Sequence, residues 1–592
     1  MNARSGGAGL VDIARRTARC CLRPRGIRSA LWQPLLLLVL VGGADFFHFR
    51  DFGLYEDDYF FIGQPLVWTG AEFVKSLEVI WTWPQGRPIG YLLCYVIAYV
   101  AGRMGGLQAL YGAAYVVQAT NVLLLYFLLR RMGFAVEAWL GSLLFALFPA
   151  DTTRSFLMHS FGLHSSLTFV LLAAHAHLSN RSAGVHLGAL AALLTYETPY
   201  PIILAFPLLN LKWEQLSAKR ILRHTGTWLV LLVMAVLLRL ALGESRAQSL
   251  PSDSVGVQET IGRILLSLVW GPFVSLRALW RGPKWSLENW NLELTIVLLV
   301  TFLILVATWS WLAKALVNTE LSGARDPGGQ ASGTERSVKT GNGEARTVRL
   351  LLAGLAMFIL GYGLAFTHFP PTPYVGRLTS VHMAGSLGAS IALAAAARLL
   401  LTVARLHWIR GLLSALLALY LALAVAYRFS IQQGFVAAWN HQRRFWTSAL
   451  SVLPDLADRT VVFVPQDGLP EGRFIQAHSW AAPLVLSQLL EFPADWEVHP
   501  RLFIVSDDWT DGLERVGNEL VWRVPAGADP PHDEILPEGN LILLTWKGGQ
   551  LQRRWGSVQI NGHDFALKPL PDAMPPARPH APVYALLIDE KQ

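Results

Sequence analysis

Three consecutive carboxylates, Glu56, Asp57 and Asp58, stand in the stretch GLYEDDYFF (53–61), just beyond a strongly apolar run and enclosed by Tyr55, Tyr59, Phe60 and Phe61. A charged side chain at mid-bilayer costs roughly 2.5 to 3.5 kcal/mol on insertion scales, so these acids belong at or beyond the outer edge of that run. An acid cluster also marks an ordinary solvated loop, but aromatic flanks suit an interfacial belt or a site wall better. The chemistry open to such acids is acceptance of a proton or binding of a cation. Adjacent acids point in different directions, so one of Asp57 and Asp58 reaches a substrate while the other orients an arginine or a cation; Asp58 is the preferred base and Glu56 the least suited. Any divalent cation would be sought at Asp57 and Asp58.

Other polar residues sit where apolar helices must carry them. Glu197, in LTYETPYPIIL (194–204), is followed by Pro199 and Pro201, and an acid at a helix break in a membrane lines a cavity. Arg154, His159 and His164 follow the turn FPADTT (148–153). The two histidines are five apart and share no helix face for a metal pair; a lone helical His is more often a packing residue. Arg87 precedes Pro88 at a natural helix start, and Arg377 follows a proline-rich stretch; both fall at outer ends of spans, where an interfacial role competes with anion binding. His368 and His382 flank Arg377 without a spacing that assigns them a role.

The elements that position these residues are read from composition and periodicity. A hydrophobic fraction of 53%, only 15% charged residues in 592 and a mean hydropathy of +0.38 mark an integral membrane protein. Apolar runs recur over the first 430 residues without the ten-residue alternation of a barrel, which predicts a polytopic helical bundle. The net charge of +8 comes largely from short basic clusters beside apolar segments, so it reports topology and not nucleic acid. Cys20, Cys21 and Cys94 show no metal spacing; Cys20-Cys21 is a site that could be acylated. No phosphate-binding glycine loop follows a strand, and NRS (180–182) is a sequon expected by chance.

Seven arginines in residues 1–28 keep the amino terminus in the cytoplasm, and 29–47 forms the first span; VGGA also permits a cleaved signal reading. Residues 48–87 form an outer loop in which Trp68, Trp81 and Trp83 accompany one or two surface helices. Residues 212–224 then fall inside, 243–290 outside, a Gly-rich flexible loop at 317–349 inside, 369–377 outside and 398–410 inside. The transmembrane region, 29–430, thus holds about eleven spans, a count good to about one or two. The tail, 431–592, lies outside and carries the short β-type runs TVVFV, RLFIV, ELVWRV, NLILLTW and PVYALLI, which predict a small α/β or β-rich domain.

A first span, an acidic motif at its outer end, an outer loop with surface helices and the GRPIG start of the next helix together resemble the GT-C superfamily of membrane glycosyltransferases. LLFALFPADTTRSFLMHS (143–160), LTYETPYPIIL (194–204, with Tyr196 where Lys is common) and PYVGRLTSVHMAG (373–385) resemble further segments of that superfamily, the last through Tyr374 and Arg377. Phe148-Pro149 stands where His-Pro is usual. The likeness covers residues 30–430, with Asp57-Asp58 its firmest point. It implies a polyprenyl-phosphate-linked sugar as donor, a glycan, lipid or protein acceptor, inversion at the anomeric carbon, and a cell-envelope site outside a bacterial inner or plasma membrane. On that expectation Asp57 or Asp58 is the base, while Glu56, Arg87, Arg154, Glu197, Tyr374 and Arg377 contact substrate, the arginines meeting phosphate. A lipid or sugar transporter or flippase, and a non-catalytic scaffold of the same fold, remain open alternatives. Against a transporter stands the lack of a repeat between halves.

Overall fold

The apolar runs fold as long helices because backbone polar groups in hydrocarbon can be satisfied only within the helix itself. The computed structural model describes residues 27–588 apart from short stretches, of which 244–253, 324–332, 366–374, 470–481, 506–512 and 525–531 are the longest. In chain order the principal helices are α1 (Ile27–Asp45), α2 (Gly70–Ile80), α3 (Pro88–Met104), α4 (Leu107–Arg131), α5 (Ala135–Ala146), α6 (Leu157–Leu178), α7 (Ser182–Thr195), α8 (Ala218–Ala241), α9 (Ser254–Glu288), α10 (Leu292–Gly323), α11 (Gly333–Leu360), α12 (Met383–Val403) and α13 (His407–Val452). Among the described residues seven helices are long and apolar enough to cross a membrane: α4, α6, α8, α13, the Ile261–Glu288 part of α9, the Leu292–Trp309 part of α10, and α12 with the turn before it. Five shorter apolar helices, including Leu31–Asp45 and Pro88–Met104, accompany them.

Several expected boundaries move. The apolar stretch 184–210 is interrupted after Thr195 and resumes at Tyr200, because Pro199 and Pro201 cannot continue an α-helix. Residues 333–349, expected as flexible loop, extend α11, since a packed apolar helix propagates cheaply into a polar flank. Residues 254–288, expected within an outer stretch, are one helix. In α9, Gly271 meets the Tyr362 ring, Ser275 bonds His382, and Gly282 meets Pro149 and Tyr427. Ser286, one turn beyond Gly282, bonds the Leu423 carbonyl, one turn before Tyr427, so this part of α9 runs antiparallel alongside α13.

Helices α11 and α12 pack backbone to backbone. A Cβ on Gly388 would stand 2.1 Å from the Phe358 nitrogen, a separation only glycine permits. The last apolar run does not end at 430: α13 continues for 46 residues to Val452, about 69 Å against a hydrocarbon thickness of about 30 Å. Its final turns carry the tail. Strands β1 (Val461–Pro465) and β2 (Arg501–Val505) are parallel, with α14 (Ala482–Leu489) between them in sequence. Strands β3 (Leu513–Val516), β4 (Glu519–Val524) and β5 (His532–Leu536) form an antiparallel sheet. Strand β6 (Leu541–Lys547) is parallel to β1 and antiparallel to β7 (Gln550–Arg553), giving the order β2-β1-β6-β7, and β8 (Ser557–Ile560) with β9 (His563–Ala566) is a hairpin. PVYALLI, expected as a strand, is instead a helical turn, Tyr584–Leu587. There the Arg443 side chain of α13 bonds the Leu587 carbonyl, and Tyr584 stacks on His580.

Candidate functional site

The acidic turn is held from below by aromatic packing. Tyr55 is buried and donates its hydroxyl to the Phe435 carbonyl of α13 at 2.9 Å, while Tyr111 of α4 donates to the Gly53 carbonyl at 2.6 Å. Gly53 lies so close to Trp439 that a Cβ there would be 1.8 Å from the indole. With both neighbours fixed, Glu56 takes a left-handed backbone, φ 46°, which is uncommon for a residue with a side chain and marks local strain. A π-helical turn, Tyr59–Gly63, follows at once, and such turns recur at functional sites.

The three acids take separate partners. Asp58 is 0% exposed, and its carboxylate accepts from the backbone N–H groups of Met158 at 2.8 Å, Leu157 at 3.2 Å and Tyr55 at 3.4 Å. It therefore caps the start of α6 from another part of the chain, where a carboxylate meets both free donors and the helix dipole. Burial pushes its carboxyl up to about 7, and the backbone donors oppose the shift. Asp57 is 14% exposed and pairs at 2.9 Å with Arg377, itself 28% exposed. Glu56 is buried, lies 3.6 Å from the same guanidinium, and is pushed by burial up to about 8. Of the two expected bases, Asp57 is the one with solvent access; Asp58, the preferred one, has its oxygens occupied by backbone.

Arg87 caps no side chain but turns onto Glu197. Its Nε and terminal nitrogen donate to the two carboxylate oxygens at 3.0 and 2.6 Å, and Arg239 of α8 donates to the same carboxylate at 2.8 Å. The Arg87 guanidinium lies 3.9 Å over the Tyr196 ring, a cation–π placement that a lysine at 196 would forbid. Glu197 is exposed to this arginine pair by the helix break after Thr195. The first turns of α6 join the two halves: Asp58 holds Leu157 and Met158, and Gly162 lies against Tyr196. Phe61, next to the acids, stacks on Tyr91 of α3 with centroids 5.1 Å apart.

Arg154 belongs to a different, buried network. It donates to Asp45 at 2.9 Å and to the carbonyls of Phe145 and Ala146, and Arg428 of α13 grips Asp45 at 2.6 Å and the Asp151 carbonyl. Its two terminal nitrogens are engaged by the fold, while its Nε is buried without a hydrogen-bond partner. Asp45 and Arg428 escaped sequence reasoning, although an ionisable residue at the end of each apolar run was a readable signal. His164, on a second π-helical turn (Ser160–His164), sits 3.5 Å from Asp151, while Thr152 bonds Thr379 and the Gly376 N–H, fixing the turn that carries Arg377. His382 serves packing, bonded to Ser275 and Tyr362. Tyr374 and His368 lie outside the described residues. Among the described residues no group of three or more His, Cys, Asp or Glu side chains is placed to hold a metal ion. A scan of known protein families finds no match to the chain, and neither does a search of curated proteins.

Proposed function

We infer that the chain is a membrane glycosyltransferase of GT-C type that moves a sugar from a polyprenyl-phosphate donor to an acceptor outside the membrane, with about eleven spans as expected from sequence. Asp57 takes the proton of the acceptor hydroxyl or amide as that atom attacks the anomeric carbon. The bond from that carbon to the donor phosphate breaks, configuration inverts, and polyprenyl phosphate leaves with the electron pair. Arg377 orients Asp57 and, with Arg87 and Arg239, faces the developing phosphate charge.

The observation that carries this reading is the Asp57–Arg377 pair, joined across 320 residues and partly open, while Asp58 beside it is closed off by backbone donors. An acid reserved by the fold for capping cannot serve as base. An acid paired with an arginine at an accessible edge can. The test is to supply membranes bearing wild-type, Asp57→Asn or Asp58→Asn protein with radiolabelled polyprenyl-phosphate-linked hexoses and pentoses. Loss of transfer in Asp57→Asn, at wild-type protein level, supports the reading; full transfer in that variant removes it.

A further inference from the structure

Helix α9 is long and apolar enough to cross a membrane, yet both of its flanks are tied to one side of the bundle. Before it, Arg239 near the end of α8 bonds Glu197, the partner of Arg87, and its side chain lies against Gly86. Arg87 starts the helix whose Tyr91 stacks on Phe61, beside the acidic turn. After α9, Asn291 and Glu293 bond Gln433 of α13, the latter at 2.6 Å, and the adjacent Gln432 bonds the His48 N–H and the carbonyls of Gly43 and Ala44. Phe435, two residues beyond Gln433, accepts from Tyr55, so this end also lies with the acidic turn. The linker LGESRAQSLPSD (242–253) is too polar to pass through hydrocarbon. A helix that begins and ends on one side of a membrane does not cross it. The closing turns of α9 follow α13 from Tyr427 only to Leu423, and Asn291 then returns to Gln433.

Its faces fit a membrane surface. Gly271, Ser275, Gly282 and Ser286 are buried against the bundle, where small residues let backbones approach. Leu265, Val269, Phe273, Leu276, Trp280 and Leu287 form an exposed apolar stripe at helical spacing. At about 100° per residue the exposed Arg277, Arg281 and Lys284 fall between those two faces, and Glu288, 3.3 Å from Lys284, is the one acid among them. As a span from Ile261 to Glu288 the helix would hold Arg277 about 4 Å from its midpoint, an exposed charge where the bilayer disfavours it most. An apolar stripe with tryptophan beside a basic rim instead suits the headgroup boundary, where cations attract anionic lipid. We propose that α9 lies at the membrane surface on the side of the acidic turn and docks anionic phospholipid headgroups, its apolar stripe entering the acyl chains while Arg277, Arg281 and Lys284 meet the phosphates. The proposal does not depend on the sugar-transfer reading.

The full chain is placed in nanodiscs of equal phosphatidylglycerol and phosphatidylcholine, and two local readings are taken. In a Cys20→Ser, Cys21→Ser background, with Cys94 buried, a nitroxide is attached at Arg277→Cys or, as a mid-span reference in α10, at Val300→Cys, and its depth is measured by paramagnetic relaxation. Expected are a label at 277 within about 5 Å of the phosphate plane and one at 300 about 15 Å below it. A label at 277 as deep as that at 300 overturns the proposal. Separately, Leu287→p-benzoylphenylalanine, one turn from Lys284, is photolysed and the cross-linked lipid identified by mass spectrometry. Phosphatidylglycerol should exceed phosphatidylcholine by about threefold or more, and the two should become equal when Arg277→Gln, Arg281→Gln and Lys284→Gln are combined. Equal yields with the three cations in place, or an undiminished preference without them, overturn it. Neither reading uses a sugar donor, so both stand apart from whether Asp57→Asn loses transfer.

Discussion

At the scale of residues, three neighbouring acids have become three different groups. Asp58 accepts three backbone donors, and hydrogen bonds to a charged group are worth about 1.5–3 kcal/mol each. Asp58→Asn should therefore lower the thermal midpoint by several degrees, whereas Asp57→Asn, at a partly exposed pair, should leave it within about two degrees; scanning fluorimetry in detergent separates them. Glu56 makes a pH prediction. Burial raises its folded value to about 8, above its ordinary value, so the fold favours the protonated acid. That contribution is complete in acid and is lost as pH climbs through about 8. The wild-type midpoint should fall between pH 6 and pH 9, and Glu56→Gln should flatten the fall; an equal slope in both would remove the assignment. The importance of the acids was legible in the sequence, because their cost in an apolar context is large. Which of them is accessible was not, because that depends on Leu157 and Met158, a hundred residues away.

At the scale of elements, sequence reading worked where one helix decides the matter and failed where two must meet. The break at Glu197 followed from Pro199 and Pro201 and was readable. That the break presents Glu197 to Arg87 and Arg239 was not, since Arg239 is one arginine at the end of an apolar helix. Asp45 and Arg428 likewise read as the ends of two separate runs until α1 and α13 come together. The stretch 254–288 has the composition of an outer segment and the periodicity of a helix, and only its contacts with Tyr362, His382 and Pro149 show that it packs on the bundle. Close packing gives a prediction here. Gly388→Ala places a methyl within 2.1 Å of backbone in α11 and should cost more than about 2 kcal/mol, read as a lower midpoint and reduced accumulation. Gly112→Ala, where no atom lies within 4 Å, should be neutral.

At the scale of the whole molecule, the tail is fastened to the site and not merely attached to the bundle. Gln442 of α13 receives the Tyr59 hydroxyl at 2.5 Å and donates to the Leu54 carbonyl, so the helix that carries the tail also braces the acidic turn. On its other side Trp546 of β6 stacks on Phe445, and Arg553 of β7 forms a two-point pair with Asp455 at 2.6 and 3.1 Å. The sequence announced a separate domain from residue 431 because its composition changes there, but composition does not show that α13 runs on to Val452. Truncation after Val452 should therefore destabilise the membrane part, with a lower midpoint for the remaining chain. Arg553→Ala, which leaves Asp455 buried without this partner, should act in the same direction by about 3 kcal/mol.

The central claim, that Asp57 is the base of a sugar transfer, is tested most directly by single-turnover transfer from a polyprenyl-phosphate-linked sugar in purified wild-type, Asp57→Asn and Asp58→Asn protein. The account predicts a rate at least about a hundredfold lower in Asp57→Asn with donor binding retained, and folded Asp58→Asn protein that still transfers. Undiminished transfer by Asp57→Asn would contradict it.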